Sequence, residues 1–453
     1  MRNILLFICL CCASYVSAQE PLSLSDAIQI GLERNYDIQI EKKNIEVAEN
    51  NNTYGEAGRW PTVTLNLNQN NNLTENVKTA FPTSTQGQTI ADALNPLADV
   101  NWTLFNGFSV KINKRRLEQL QSETEGNASI VIANTLQSII LGYYLAVLEA
   151  HRLDEFQKQL ELSRDKYAYM TVKSEMGSAV TTDLLLEEDN YLTDSLNFIN
   201  QQLVYRNSLR NLNVLLVSTS EKVYTIGDAL TVPTSVYDPA DLQAKMLGEN
   251  VDLKKLFITQ AILGQDALLS RSSQYPSLSM STGFSENRNS LRLSKASFFD
   301  PSSPTGFSSG PKEPLNSVTD NYYVNFTLSF TLFNGGKIKR AIKNAIVAES
   351  IGELRLDKLK ITLDRDLATA LDRYSIRQQL YNINSRREES ARKNLDISQE
   401  KYRNGSINSF DFRTVQNNYL SAAILKLQAI YNLIESDVEL MRLTGGLIED
   451  YID

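Results

Sequence analysis

Beyond residue 12 the chain has no cysteine; the 3 in the sequence are Cys9, Cys11 and Cys12. If the leading segment is removed, disulfides, thiolate metal sites and cysteine nucleophiles go with it. Histidine is nearly absent too, with His151 the only one. A single histidine on a helical stripe reads as a packed residue rather than a general base. No phosphate loop of the G-x-x-x-x-G-K type occurs; "NGGKIKR" at Asn334 lacks both its spacing and its Ser/Thr. The expectation is a protein that is not an enzyme, with no cofactor and no metal site.

Positive charge is also short. Lys and Arg number 45 against 53 Asp and Glu, a net charge of −8, or −9 once Arg2 is removed. An acidic chain argues against nucleic acid as a partner. No stretch after the leading segment has 18 consecutive apolar residues, so none reads as a helical membrane span. A membrane crossing by this chain needs a closed β-barrel. Proline is missing from Leu97 to Val232 and from Leu315 to the end. Proline breaks helix interiors, so both runs permit very long helices.

The start, "MRNILLFICLCCASYVSA", has the form of an export signal. Arg2 is its positive end, Ile4 to Cys12 its apolar run, and Val16-Ser17-Ala18 its small-residue cleavage site. Residues 1–18 are therefore read as a signal peptide, with lipid anchoring of a cysteine left open.

The chain then says much the same thing twice. "WTLFNGFSV" at Trp102 recurs as "FTLFNGGKI" at Phe330, 228 residues later. "EMGSAVTTDLL" from Glu175 falls on "RNGSINSFDFR" from Arg403 at the same offset, and "NYL" at Asn190 on "NYL" at Asn418. Self-similarity of this reach predicts two structural repeats, 19–232 and 233–453. Leu420, Ile424, Leu427, Tyr431, Ile434, Val438 and Met441 alternate steps of four and three, and Leu356, Leu359, Leu363, Leu367, Ala370 and Tyr374 do nearly the same. Leu136, Ile140, Tyr143 and Val147 form a matching stripe. This is coiled-coil spacing. It predicts helical hairpins over 108–217 and 335–444, whose first arm would be roughly 100 Å long.

Ahead of each hairpin lie uncharged segments of period two, such as "TVTLNLN" and "YVNFTLSFTLF". They predict strands near 60–69, 98–106, 275–285 and 321–333, suited either to a soluble sheet or to a membrane barrel. The polar inserts about Gln69–Asp99 and Glu286–Asp320 hold Pro82, Pro96, Pro301, Pro304, Pro311 and Pro314 and read as long exposed loops. The repeated corner then has a purpose. Phe105 and Phe333 would end a strand at a membrane surface, and Asn106-Gly107 and Asn334-Gly335 would turn the backbone into the helix. Four strands cannot close a pore by themselves, so a barrel requires an oligomer.

The signal peptide, the duplicated "TLFNG" corner and the paired motifs "MGSAVTTDLL" and "NGSINSFDFR" together resemble the TolC-type outer membrane efflux proteins. The resemblance covers Gln19 to about Gly446. It implies a mainly α fold with membrane β structure: long antiparallel helical hairpins forming an α-barrel, above them a twelve-stranded β-barrel of three chains. It implies an outer membrane location with a large periplasmic portion, a homotrimer in outer membrane lipid, and a periplasmic adaptor and inner-membrane transporter as partners. The chain would be the passive export conduit of a tripartite efflux or secretion system, opened at its periplasmic helix tips. Carried over by position, Gly177, Ser178, Gly405 and Ser406 would form adaptor-docking tips, and Asp183, Tyr402 and Asp411 would form the gate. Thr414 stands where a second gate acid is common, and Ile407 where a basic residue is expected. The local alternative for Asp183 and Asp411 is a helix-start acid, favourable by itself. Glu187-Glu188 reads as a solvated pair on a helix. The alternative for the whole chain is a periplasmic coiled-coil scaffold or a surface adhesin.

Overall fold

A computed structural model describes residues 21–78, 86–178, 180–219, 222, 224–226, 228–309 and 313–448. The expected signal peptide, Pro82 and Pro311 lie outside the described residues. The described residues fall into two compact units, one within 1–46, 122–258 and 353–453, the other within 47–121 and 259–352.

The first unit is helical. It contains α1 (Leu24–Arg34), α4 (Thr181–Leu215), α5 (Pro239–Glu249), α8 (Ser409–Thr444) and most of α3 (Ser109–Glu175) and α7 (Lys337–Arg403). The bounds of α3 and α7 differ by 228 at both ends, and each helix has 67 residues. The apolar stripes point inward, as their spacing requires. Leu136, Ile140, Tyr143 and Val147 are fully buried with Leu209, Leu212, Ile430, Ile434 and Val438. Leu356, Leu363, Leu367, Ala370 and Tyr374 form a second core with Leu433 and Leu440. One window of α3 is apolar and long enough to cross a membrane by composition, and the same helix buries Leu136, Ile140, Tyr143 and Val147 in this core. The two-residue strands β1 (Pro21–Leu22) and β4 (Thr225–Ile226) pair in parallel. The Tyr143 hydroxyl ties them in, donating to Leu22 O at 3.0 Å and to Asp228 Oδ2 at 2.7 Å.

The second unit holds α2 (Tyr36–Asn51) from Val47 onward, most of α6 (Val251–Ser272), the first turns of α3 and α7, and the sheet. The strands are β2 (Thr62–Lys78), β3 (Gln86–Asn106), β5 (Ser277–Phe299) and β7 (Leu315–Ser329), with a short β6 (Phe307–Ser309) beside the end of β5. All neighbours are antiparallel, in the order β2-β3-β5-β7. The inserts expected as loops are largely strand: β2 and β3 continue through Gln69–Lys78 and Gln86–Asp99, and β5 through Glu286–Phe299. Neutral Asn, Gln and Ser side chains leave the backbone ladder unopposed. Pro96 is tolerated because it sits at a gap in the β3–β5 register, between Leu94↔Arg288 and Leu97↔Ser285. At the other end β7 stops at Ser329, and Phe330 to Phe333 are irregular.

Candidate functional site: the strand belt and the hairpin tips

Register fixes the two faces of the sheet. Leu65↔Ala98, Ala98↔Phe284 and Phe284↔Tyr322 place these four on one face, and Trp102↔Met280↔Phe326 continues it. That face is apolar across all four strands and open: Leu65 is 82% exposed and Leu328 71%. The opposite face carries Thr64, Asn66, Asp99, Ser281, Tyr323 and Asn325. Asp99 accepts hydrogen bonds there from Asn101, Ser281 and Tyr323. The apolar belt ends at a charged row, where Glu286↔Asp320 face each other and Arg288 and Arg292 follow. At its helix end it has aromatics: Trp60, Phe105, Phe108 and Tyr275, with the Trp102 indole donating to Arg59 O at 2.9 Å. The outer edges of β2 and β7 have no partner strand among the described residues.

Gly107 has φ 65° and Gly335 φ 66°, and in each corner the next residue is also left-handed, Phe108 at 67° and Gly336 at 77°. The Asn106 and Asn334 side chains accept from Val110 N at 3.4 Å and Ile338 N at 3.5 Å. A Cβ on Gly107 would lie 2.3 Å from Ser272 O, so close backbone approach demands glycine there. Phe333 is 87% exposed beyond the end of β7.

Both hairpin tips close alike. Gly177 and Gly405 are left-handed at φ 70° and 73°. Ser178 N donates to Lys173 O, and Ser406 N to Lys401 O, at 2.9 and 2.8 Å. With Gly177 N to Ser174 O and Gly405 N to Tyr402 O, each is a Schellman turn. Asp183 and Asp411 lie exposed in the first turns of α4 and α8. The Asp411 N–H donates to the cap Asn408 Oδ1 at 2.8 Å. Tyr402, at the end of α7, stacks on Phe412 with ring centres 4.9 Å apart, and its hydroxyl lies 3.4 Å from Ser409 Oγ. Asp183 and Tyr402 line one depression of about 810 Å³ with Lys166, Gly405 and Phe410.

The strongest electrostatics near the tips are on residues that sequence reasoning passed over. Lys166 Nζ is 2.9 Å from Glu187 Oε1 and sits over the rings of Tyr402 and Phe412 at 5.1 and 5.2 Å. Ser409 also donates to Glu187. Burial pushes the Lys166 ammonium below its ordinary value, against the attraction of Glu187. Burial raises the Tyr402 phenol. Further up, Arg413 grips Asp194 with two hydrogen bonds of 2.6 and 2.7 Å, and Gln159 donates to Asp194 at 3.3 Å. Glu187, expected in solvent, is fully buried at 0% exposure. Its neighbour Glu188 is only half-buried, because successive helical residues point about 100° apart. A sequence signal existed in the period: Glu187, Asn190 and Asp194 step by three and four.

Comparison with known families matches residues 242–446 to the outer membrane efflux protein family. No curated protein matches the chain. Among solved structures, CusC, studied for its folding and transmembrane channel formation, is similar at 16% identity with TM-score 0.71, covering 96% of each chain. The Campylobacter jejuni CmeC outer membrane channel is similar at 15% identity and TM-score 0.69, over 93% of this chain and 85% of that one. The Vibrio cholerae outer membrane protein VceC is similar at 13% identity and TM-score 0.69, over 93% and 96%. The resemblance read from the sequence is borne out, and the mainly helical chain with its four long antiparallel strands has the fold of these channels.

Proposed function

We propose, from a chain with the outer membrane channel fold and an efflux protein family match over residues 242–446, that it is one subunit of a trimeric outer membrane export channel. One observation carries this reading: a four-stranded sheet with an open apolar face and two unpartnered edges. An exposed edge of this length is a pairing template, and an exposed apolar face of this size needs lipid. In the alternating order, β7 of one copy meets β2 of the next antiparallel. Three copies then close a twelve-stranded barrel with the apolar face outward in the outer membrane and the polar face around water. The helical repeats, related by the 228-residue offset, would form the periplasmic conduit.

The chain conducts and does no chemistry. Its tips, with Gly177, Ser178, Gly405 and Ser406 at the turns, receive a periplasmic adaptor, which links an inner-membrane transporter. Asp183, Tyr402 and Asp411 line the gate. When the conduit is shut, the Arg413–Asp194 pair holds α8 against α4, and the Lys166–Glu187 pair holds α3 against α4 with Ser409 and Phe412 of α8 packed on it. The belt favours this reading over a soluble coiled-coil scaffold, which has no use for an uncharged sheet face. The test is conductance of the purified full-length chain in planar bilayers. Discrete ohmic channels are expected; a bilayer whose conductance never rises overturns the reading.

A further inference from the structure

The first turns of the two long helices are unlike the rest of this acidic chain. Residues 107–117 and 335–345 hold Lys111, Lys114, Arg115, Arg116, Lys337, Lys339, Arg340 and Lys343, and no acid. Lys114 is engaged with Glu118 and Asn52, and Arg116 with Asp266. The remaining six are exposed, and none is in an ion pair among the described residues. Positive charge at a helix start opposes the helix dipole, which favours acids there. Yet the arrangement occurs in both helices at one offset: Lys111 and Arg115 fall on Lys339 and Lys343, 228 residues on, each pair one turn apart on its helix. A local rule broken twice in the same way points to something outside the chain that compensates it.

The surroundings say what. The first turns of α3 follow directly on the corner that ends β3, and those of α7 follow the short irregular stretch after β7, so the basic residues border the apolar belt. Exposed Trp60, Phe108, Tyr275 and Phe333 lie at the same margin. Apolar belt, amphipathic aromatics, then unpaired cations is the order of a bilayer seen from its core outward: acyl chains, interface, phosphate.

We propose that Lys111, Arg115, Lys337, Lys339, Arg340 and Lys343 form a collar that binds the phosphates of anionic phospholipids in the leaflet facing the helices. This rests on the membrane reading of the sheet. Long basic side chains reach the headgroup layer while their stems lie along apolar surface. Three copies would put eighteen such groups around the barrel.

The full-length chain is reconstituted in nanodiscs of phosphatidylcholine with a minority of phosphatidylglycerol, and motionally restricted spin-labelled lipid is measured for each headgroup. The expected result is a preference for phosphatidylglycerol of roughly threefold or more at low salt. The variant carrying Lys111→Gln, Arg115→Gln, Lys339→Gln and Lys343→Gln falls toward parity, and the variant exchanging Lys and Arg at those positions keeps the preference. About 1 M salt, with a screening length of about 3 Å, abolishes it in the wild type without any substitution. Wild-type parity at low salt, or a preference that survives either the glutamines or high salt, overturns the collar while leaving the channel reading intact. A chain that never enters the bilayer overturns both.

Discussion

Both Nη atoms of Arg413 donate to the Asp194 carboxylate, Nη1 to Oδ2 at 2.6 Å and Nη2 to Oδ1 at 2.7 Å. Asp194 is on α4 and Arg413 on α8, so one bidentate contact joins the two helical hairpins near their tips. The pair is almost wholly out of water, with side chains 3% and 13% exposed. Removing Asp194 leaves the Arg413 guanidinium buried without its carboxylate, and removing Arg413 leaves Asp194 with only the Gln159 amide, each at a cost of about 3–5 kcal/mol.

Arg413→Met alone, or Asp194→Leu alone, therefore lowers unfolding stability by about that amount, while the double substitution restores most of it. Denaturant unfolding of the four proteins in detergent checks this. Two single losses that simply add would show that the contact carries no coupling.

Acid has a defined effect through Glu388. Burial works to raise its carboxyl, but hydrogen bonds from Lys426 and Arg392 outweigh that and hold it below the ordinary value. A depressed folded value means that Glu388 contributes its stability above the unfolded carboxyl range. That contribution is lost as pH falls through the folded value. The stability difference between wild type and Glu388→Gln should be full near neutrality and shrink below about pH 4.5. A difference flat with pH contradicts this assignment.

The two corners should respond differently to the same change. Gly107→Ala combines a left-handed backbone with a Cβ 2.3 Å from Ser272 O, whereas Gly335→Ala meets nothing within 4 Å. The second should cost only the conformational strain, roughly 1–2 kcal/mol. The first should cost well beyond that and reduce the yield of assembled protein. Equal effects on thermal unfolding would contradict the close approach.

Face assignment in the sheet makes neighbouring residues opposites. Phe326→Arg puts a charge on the apolar face and should cost about 2–4 kcal/mol if it lies near the bilayer midplane. Asn325→Arg, one residue away on the polar face, should be tolerated. Recovery of folded oligomer from bilayers decides between them.

What the sequence made legible follows from how local each signal is. The long helices were readable because the absence of proline and the 3.6-residue period agree over dozens of residues. Glycine at the tips, Gly177 and Gly405, and at the corners, Gly107 and Gly335, answers a backbone need, since all four are left-handed. The upper halves of the strands were not. Runs such as Gln69–Leu73 have polar residues on both faces, and only pairing in register, Asn70↔Ala93 for example, makes them strand. Glu187 and Asp194 were missed for a similar reason. A carboxylate in a helix is solvated by default, and only the arrival of Lys166 and Arg413 from other helices makes burial tolerable.

A sealed barrel requires that sister chains close the open edges of β2 and β7. The mass of the detergent-solubilised particle, measured by light scattering with the detergent contribution subtracted, tests that directly. Three chains per particle is the result predicted here; a stable particle of one chain would contradict it.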